Sequence, residues 1–286
     1  LLANRDRRGR VEPPKNVYAK WQGAHWTLAT LADLGYPPGD KSLSPIRDQV
    51  LDHWLSDSFY EEFEAATKVE AYQKPGVPVM RGRYRRCASQ QGNALYCMTK
   101  LGISDDRSER LVERLLHWQW PDGGWNCDKG PTADTSSFME TLIPMTGLAI
   151  HAQACDDDDA RQAALRASEV LLTRSLFKRR SDARVIHPEF LRLHYPLYWH
   201  YDVLGGLRGM AELGVLNDPR CSAALDLLEA KELAGGGWPA ESRYYKVSTK
   251  IENSAEYVDW GGCGKTRMNE WVTADALHVL RRAGRF

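Results

Sequence analysis

A repeated helical pattern constrains this 286-residue sequence more than any other feature. Five segments share one form: residues 21–35 (WQGAHWTLATLADLG), 87–102 (CASQQGNALYCMTKLG), 136–152 (SSFMETLIPMTGLAIHA), 199–214 (WHYDVLGGLRGMAELG) and 269–284 (NEWVTADALHVLRRAG). Leu28, Leu31 and Leu34 correspond to Leu207, Met210 and Leu213, a stripe at i, i+3 spacing that reads as helix. The closing glycines Gly35, Gly102, Gly214 and Gly284 suit the left-handed position just past a helix end. Polar turns follow at Ser104-Asp105-Asp106, Asp156-Asp157-Asp158-Asp159 and Asn217-Asp218-Pro219, each supplying an N-cap for a second, more charged helix over residues 107–117, 160–176 and 220–232. Val77-Pro78-Val79 and Val185-Ile186-His187-Pro188 are short and interrupted by proline, so no strand series is expected. The fold expected is all-α, with about four to five helix pairs stacked as a solenoid or an α/α toroid. Residues 1–15 read as a basic, solvated N-terminal arm and 16–286 as a single domain.

Lys plus Arg and Asp plus Glu both number 38, so no net field recruits nucleic acid. No apolar run approaches the roughly 20 residues that cross a bilayer, which leaves only peripheral membrane contact, and a homodimer is compatible with the sequence. Cys87, Cys97, Cys127, Cys155, Cys221 and Cys263 lie far apart without a CxxC pair, as reduced thiols of a cytoplasmic protein do. Ten Trp and twelve Tyr stand against six Phe. Rings that carry an N–H or O–H suit the wall of a cavity better than a dry core.

After the second of the more regular segments stands Gln119-Trp120-Pro121-Asp122-Gly123-Gly124-Trp125. A degenerate copy, ELAGGGW, covers residues 232–238 and ends in Trp238. This QxxDGxW string resembles the QW motif of squalene-hopene cyclases and oxidosqualene cyclases, within the wider terpene cyclase and protein prenyltransferase superfamily. The resemblance implies an α/α toroid in which Gln119, Asp122, Trp125 and Trp238 are structural, with chemistry at the N-terminal ends of the inner helices. It also implies an isoprenoid-like substrate.

Neither well-known active site of that superfamily is complete in this sequence. The run at Asp156-Asp157-Asp158-Asp159 matches the cyclase DxDD acid by letter but falls on a capping turn. Asp134-Thr135-Ser136 carries Ser where a zinc-binding prenyltransferase has Cys, and Asn269-Glu270-Trp271 offers no His. The remaining constellation is the run HYPLYWHYD over residues 194–202. His200, Asp202, Glu140, Asp134 and Glu270 are the acid–base candidates, since a His near carboxylates moves protons around neutral pH. Trp21, His25, Trp26, Gln91 beside Gln90, His194, Tyr198, Trp199, Tyr201 and Trp271 are the candidate walls, whose rings exclude water and attract a cation. No cofactor is required, although zinc at Cys127, Asp128 and His194 fits by residue type without a standard spacing. The resulting expectation is a cyclase-like or prenyltransferase-like enzyme. A non-catalytic toroid for a hydrophobic ligand or a partner, and a polysaccharide-lyase-like toroid, are its rivals. A closed apolar pocket, a filled centre and an open groove separate the three.

Overall fold

Side chains just outside the apolar stripe cap the N-termini of five helices in this protein, those that begin after Asp105, Ser137, Asp157, Asp202 and Asn269. A computed structural model describes residues 1–13, 20–250 and 252–286. In chain order the helices are α1 (Ala24–Asp33), α2 (Ser44–Trp54), α3 (Asp57–Tyr60), α4 (Glu70–Gln73), α5 (Ala88–Lys100), α6 (Asp106–His117), α7 (Phe138–Cys155), α8 (Asp158–Leu172), α9 (Val203–Leu213), α10 (Ser222–Glu229) and α11 (Glu270–Arg282). The chain is mostly helical, at 47% helix and 8% strand. Asp105 caps α6 in a reciprocal box with Ser108, and Asp157 caps α8 through Ala160 N–H. The four-aspartate run is therefore a helix-to-helix turn, with Asp156 left-handed at the end of α7. Gly35, Gly102, Gly214 and Gly284 all have positive φ, and the next residue's N–H reaches back to close the helix, as in Tyr36 to Leu31 and Ile103 to Met98.

The five repeat segments α1, α5, α7, α9 and α11 pack on one another in that order, and α2, α6, α8 and α10 pack behind the first four of them. The outer helices are amphipathic: α6 buries Leu111, Val112 and Leu115 beneath a charged face. By contrast α7 is apolar nearly all round, as an element with neighbours on every side must be. Its crossing with α5 is unusually close. A Cβ on Gly92 would stand 2.4 Å from Pro144 Cα, and one on Gly147 would stand 2.4 Å from Gly92 O. We expect Gly92→Ala to cost about 1–3 kcal/mol by urea unfolding, because backbone rather than a side chain must give way. An unchanged midpoint would mean that the crossing is looser than described.

Three features depart from the expectations. The segment Val77-Pro78-Val79 belongs to a strand after all: β2 (Val77–Met80) lies between β1 (Glu62–Glu64), parallel, and β3 (Arg83–Tyr84), antiparallel. Pro78 is tolerated because Arg85 N–H donates to its carbonyl just past the end of β3, where no return N–H is required. A second small sheet pairs β4 (Lys246–Val247) with β5 (Ala255–Glu256). In the N-terminal stretch Arg7, Arg8 and Arg10 are exposed, while Gln49 on α2 exchanges two hydrogen bonds with the Val11 backbone and Arg5 Nη1 donates to Ser42 O. The boundary between residues 15 and 16 lies outside the described residues. Outer helix α10 is shorter than residues 220–232, because Pro219–Cys221 form a 3-10 turn capped by Asp218 and the glycine-rich loop begins early. Among the described residues no helix is long and apolar enough to cross a membrane.

Candidate functional site

The two QW-like loops frame the site and share their wiring. Trp120 N–H donates to Gly124 O and Leu233 N–H to Gly237 O, closing the same tight reversal in each copy. Trp125 Nε1 donates to Leu115 O at 2.9 Å, and Trp238 Nε1 to Leu228 O at 2.7 Å. Each Trp backbone N–H then meets a threonine hydroxyl on the next inner helix, Thr141 or Thr273. Gln119 Nε2 donates to Gly123 O and to Ala163 O on α8, while Asp122 accepts from Ser136 N–H and its hydroxyl. Glu232 and Gly235 occupy the Gln119 and Asp122 positions of the second copy.

Between α1, α5, α7 and α9 lies a half-open cavity of about 80 Å³, lined on one side by the segment that carries Tyr195, Leu197 and Tyr198. Trp26, Tyr96, Tyr195 and Tyr198 present rings to it, with Leu142 and Ile143 between them. Asp33, Arg208 and Glu212 supply the charged groups. Burial raises the Asp33 carboxyl to about 7, with Arg208 working against that shift and Asp275 adding to it. Arg208 Nη1 holds Asp275 at 2.8 Å, joining α9 to α11. None of Asp33, Arg208 and Asp275 was singled out in the sequence. Their signal is a charge inside an otherwise apolar inner helix, in LATLADLG, LGGLRGM and VTADAL.

The run at residues 194–202 builds that side of the cavity and the wall behind it. Trp21 stacks on Tyr198 at 3.6 Å between centroids, meets Trp26 edge-on at 4.7 Å, and donates from Nε1 to Tyr244 O. Trp199 leans on Trp21 at 4.5 Å, and His200 stacks on Tyr244 at 3.7 Å. Tyr198 donates its hydroxyl proton to Glu256 Oε2, and Tyr201 donates to Leu176 O. Asp202 is the N-cap of α9, accepting from Gly205 N–H, and its other oxygen takes both the backbone N–H and Nδ1 of His194. Burial, the largest single influence on His194, pushes it down, but the Asp202 charge together with hydrogen bonds to Asp202 and to the Arg192 and Leu197 backbones raises it above its ordinary value. Burial holds His200 down at about 4, helped by His194 and Lys20, and holds His25 at about 4 as well. His25 accepts from Trp54 Nε1, Gln91 bridges Arg86 and Trp54 O, and Trp271 stacks on Tyr195.

The five acid–base candidates do not converge. Asp134 is exposed and accepts from Thr135, and Glu270 is exposed in the first turn of α11. Asp202 and His200 sit with the aromatic wall, and among the described residues no hydrogen bond or ion pair joins any of these four to Glu140. Glu140, in the first turn of α7, has its own group: Oε1 lies 3.5 Å from Cys127 Sγ and Oε2 accepts from Ser89 N–H at 3.0 Å. Cys87, the N-cap of α5, completes it, with one ligand atom from each residue within 4.8 Å of the others. The Cys127 thiol donates to Glu140 Oε1, and the close approach of the two sulfurs lowers Cys87 and raises Cys127. Burial raises Glu140. The metal-type residues thus gather as Cys87, Cys127 and Glu140; Asp128 instead closes its own loop on Gly130 N–H, and His194 is committed to Asp202. No family model matches this sequence and no curated protein matches it, so the site is read from its geometry.

Proposed function

We propose that the chain is an α/α toroid of the cyclase-like type. In this reading it takes an isoprenoid-like ligand between its inner helices and acts on it by proton transfer from Asp33. The sequential packing of α1, α5, α7, α9 and α11 with helices behind them supports the ring arrangement. The observation that carries the function is an acid held near 7 on the wall of a cavity otherwise made of rings and aliphatic groups. Such an acid is about half protonated at neutral pH; its protonated form can donate to a double bond, Trp26, Tyr96, Tyr195 and Tyr198 face the cation that forms, and the carboxylate left behind takes a proton back from a neighbouring carbon to close an isomerisation. His200, held at about 4, is neutral in the same conditions and forms wall rather than proton donor.

The cavity's size favours one second reading. At about 80 Å³ it is smaller than the roughly 150 Å³ space known to admit benzene, so a C10 or longer chain would have to extend out of the opening or displace the Tyr195–Tyr198 wall. A nearly filled centre is what a non-catalytic partner-binding toroid would have. Titration with C10 and C15 prenyl alcohols, followed by tryptophan fluorescence and product analysis, separates the two. The enzyme reading expects saturable quenching. It also expects turnover that falls by about 10²–10⁴-fold in Asp33→Asn while quenching persists. Neither binding nor turnover with any prenyl compound would leave the partner-binding reading in its place.

A further inference from the structure

We propose that Cys87, Cys127 and Glu140 form a three-ligand site for a zinc-type divalent cation, with the fourth position open to water. This site is separate from the cavity chemistry and stands or falls independently of it. Two thiols and one carboxylate come from three places in the chain: the N-cap of α5, the loop after Trp125, and the first turn of α7. Their ligand atoms all lie within 4.8 Å of one another, and Cys127 Sγ to Glu140 Oε1 is 3.5 Å. A tetrahedral ion with bonds of about 2.3 Å to sulfur and about 2.0 Å to oxygen separates its ligand atoms by about 3.5 Å. The cluster therefore needs only small side-chain shifts to close on such an ion.

Its surroundings meet the further requirements of a metal site. Ser89 N–H fixes the second Glu140 oxygen, the kind of outer hydrogen bond that orients a ligating carboxylate. Two thiolates, a carboxylate and a dication sum to a single negative charge. Arg86 and Lys129, both near enough to act on the Cys87 thiol, together with the first-turn N–H groups of α5, offset it. Binding releases the two thiol protons to water as the sulfurs take the metal, and no oxidation is involved. All three residues are half-buried, so an ion and a water can reach them. The rigid frame is already present, because Trp125 pins the loop that carries Cys127 to α6 and α7.

The test is metal uptake by the reduced full chain, using zinc alone and cobalt(II) alone. About one equivalent of zinc is expected to survive dialysis, and cobalt is expected to give tetrahedral visible bands with a near-ultraviolet sulfur-to-metal band. That band should weaken in Cys87→Ser and in Cys127→Ser and vanish in the double variant. Glu140→Gln should keep it while losing affinity by more than the about 10–100-fold that an outer-shell partner contributes. Cys155→Ser, which removes the thiol of a second group formed with Glu109 and His151, should leave the band intact. Three results would overturn the assignment: no uptake by the reduced wild type, a sulfur band surviving in the double variant, or loss of the band in Cys155→Ser. If circular dichroism shows the double variant unfolded, wild-type uptake and the affinity of Glu140→Gln decide the matter.

Discussion

Trp125→Ala is expected to lower unfolding stability by about 3–5 kcal/mol, the range for removing a fully buried large ring. Trp125 is 1% exposed, and its indole fills the space between the end of α6 and the start of α7. Its Nε1–H satisfies Leu115 O at the end of α6, its backbone N–H meets the Thr141 hydroxyl, and its carbonyl accepts from Ser137 N–H at the start of α7. One residue thus joins an outer helix to the next inner one. Trp238→Ala should behave alike, since Leu228 O and Thr273 stand in the corresponding places. Trp125→Phe retains most of the packing and should lose only about 1–3 kcal/mol, for the helix-end carbonyl left unmet. Gln119→Ala breaks two part-buried bonds to backbone and two exposed ones from Arg166, and should cost about 1 kcal/mol. Urea unfolding of the four variants reads these differences directly. A Trp125→Ala protein within 1 kcal/mol of wild type would show that the loop is not what holds the hairpins together.

The helical repeat was legible because its signals are local. An apolar stripe, a closing glycine and a capping aspartate each act within one turn, so residues 87–102 or 199–214 announce their ends without knowledge of any neighbour. The QW string was legible as a motif by its resemblance alone; the partners that Gln119, Trp125 and Trp238 find at Ala163, Thr141 and Thr273 lie on other helices and were not. Strand β2 was not, because Pro78 argues against a strand unless its partner β3 is known to stop two residues along. The candidate site was legible only as a neighbourhood. The run at residues 194–202 does gather beside Trp21 and Trp26, but the work of each residue depends on what faces it. Asp202 reads as an acid from sequence and is a helix cap with an imidazole partner in the structure. Asp33 reads as an ordinary helix-end carboxylate and becomes unusual only because the packing of other elements around the end of α1 buries it, against the pull of Arg208. Cys87 and Cys127 are 40 residues apart in the chain, and only the packing of α5 against α7 makes them neighbours.

Asp202→Asn should destabilise the protein by an amount that depends on pH, and the direction follows from His194. Both side chains are 1% exposed, and the Asp202 carboxylate holds the imidazole at 2.8 Å. In the folded protein His194 is raised above the 6.5 of a free imidazole. A raised group contributes stability fully present below its unfolded value and lost as pH rises through its folded value. The wild type is therefore expected to exceed Asp202→Asn by about 3 kcal/mol at pH 5.5, the lower end for breaking a buried pair. The difference should shrink to about 1 kcal/mol, that of a neutral hydrogen bond, once the pH has passed the folded His194 value. Asparagine caps a helix as well as aspartate does, so the N-terminus of α9 is unaffected by this change. Asp202→Ala removes the cap too and should cost about 1 kcal/mol more at every pH. His25, held near 4, makes wild type and variants alike less stable as pH falls from 6.5, and that shared loss cancels in the difference; His200 is lowered partly by His194, so its contribution changes with the His194 charge. Paired chemical unfolding at pH 5.5 and 8.5 measures it. A difference that does not change with pH would mean that His194 is neutral in the folded protein and that Asp202 serves α9 as a cap alone.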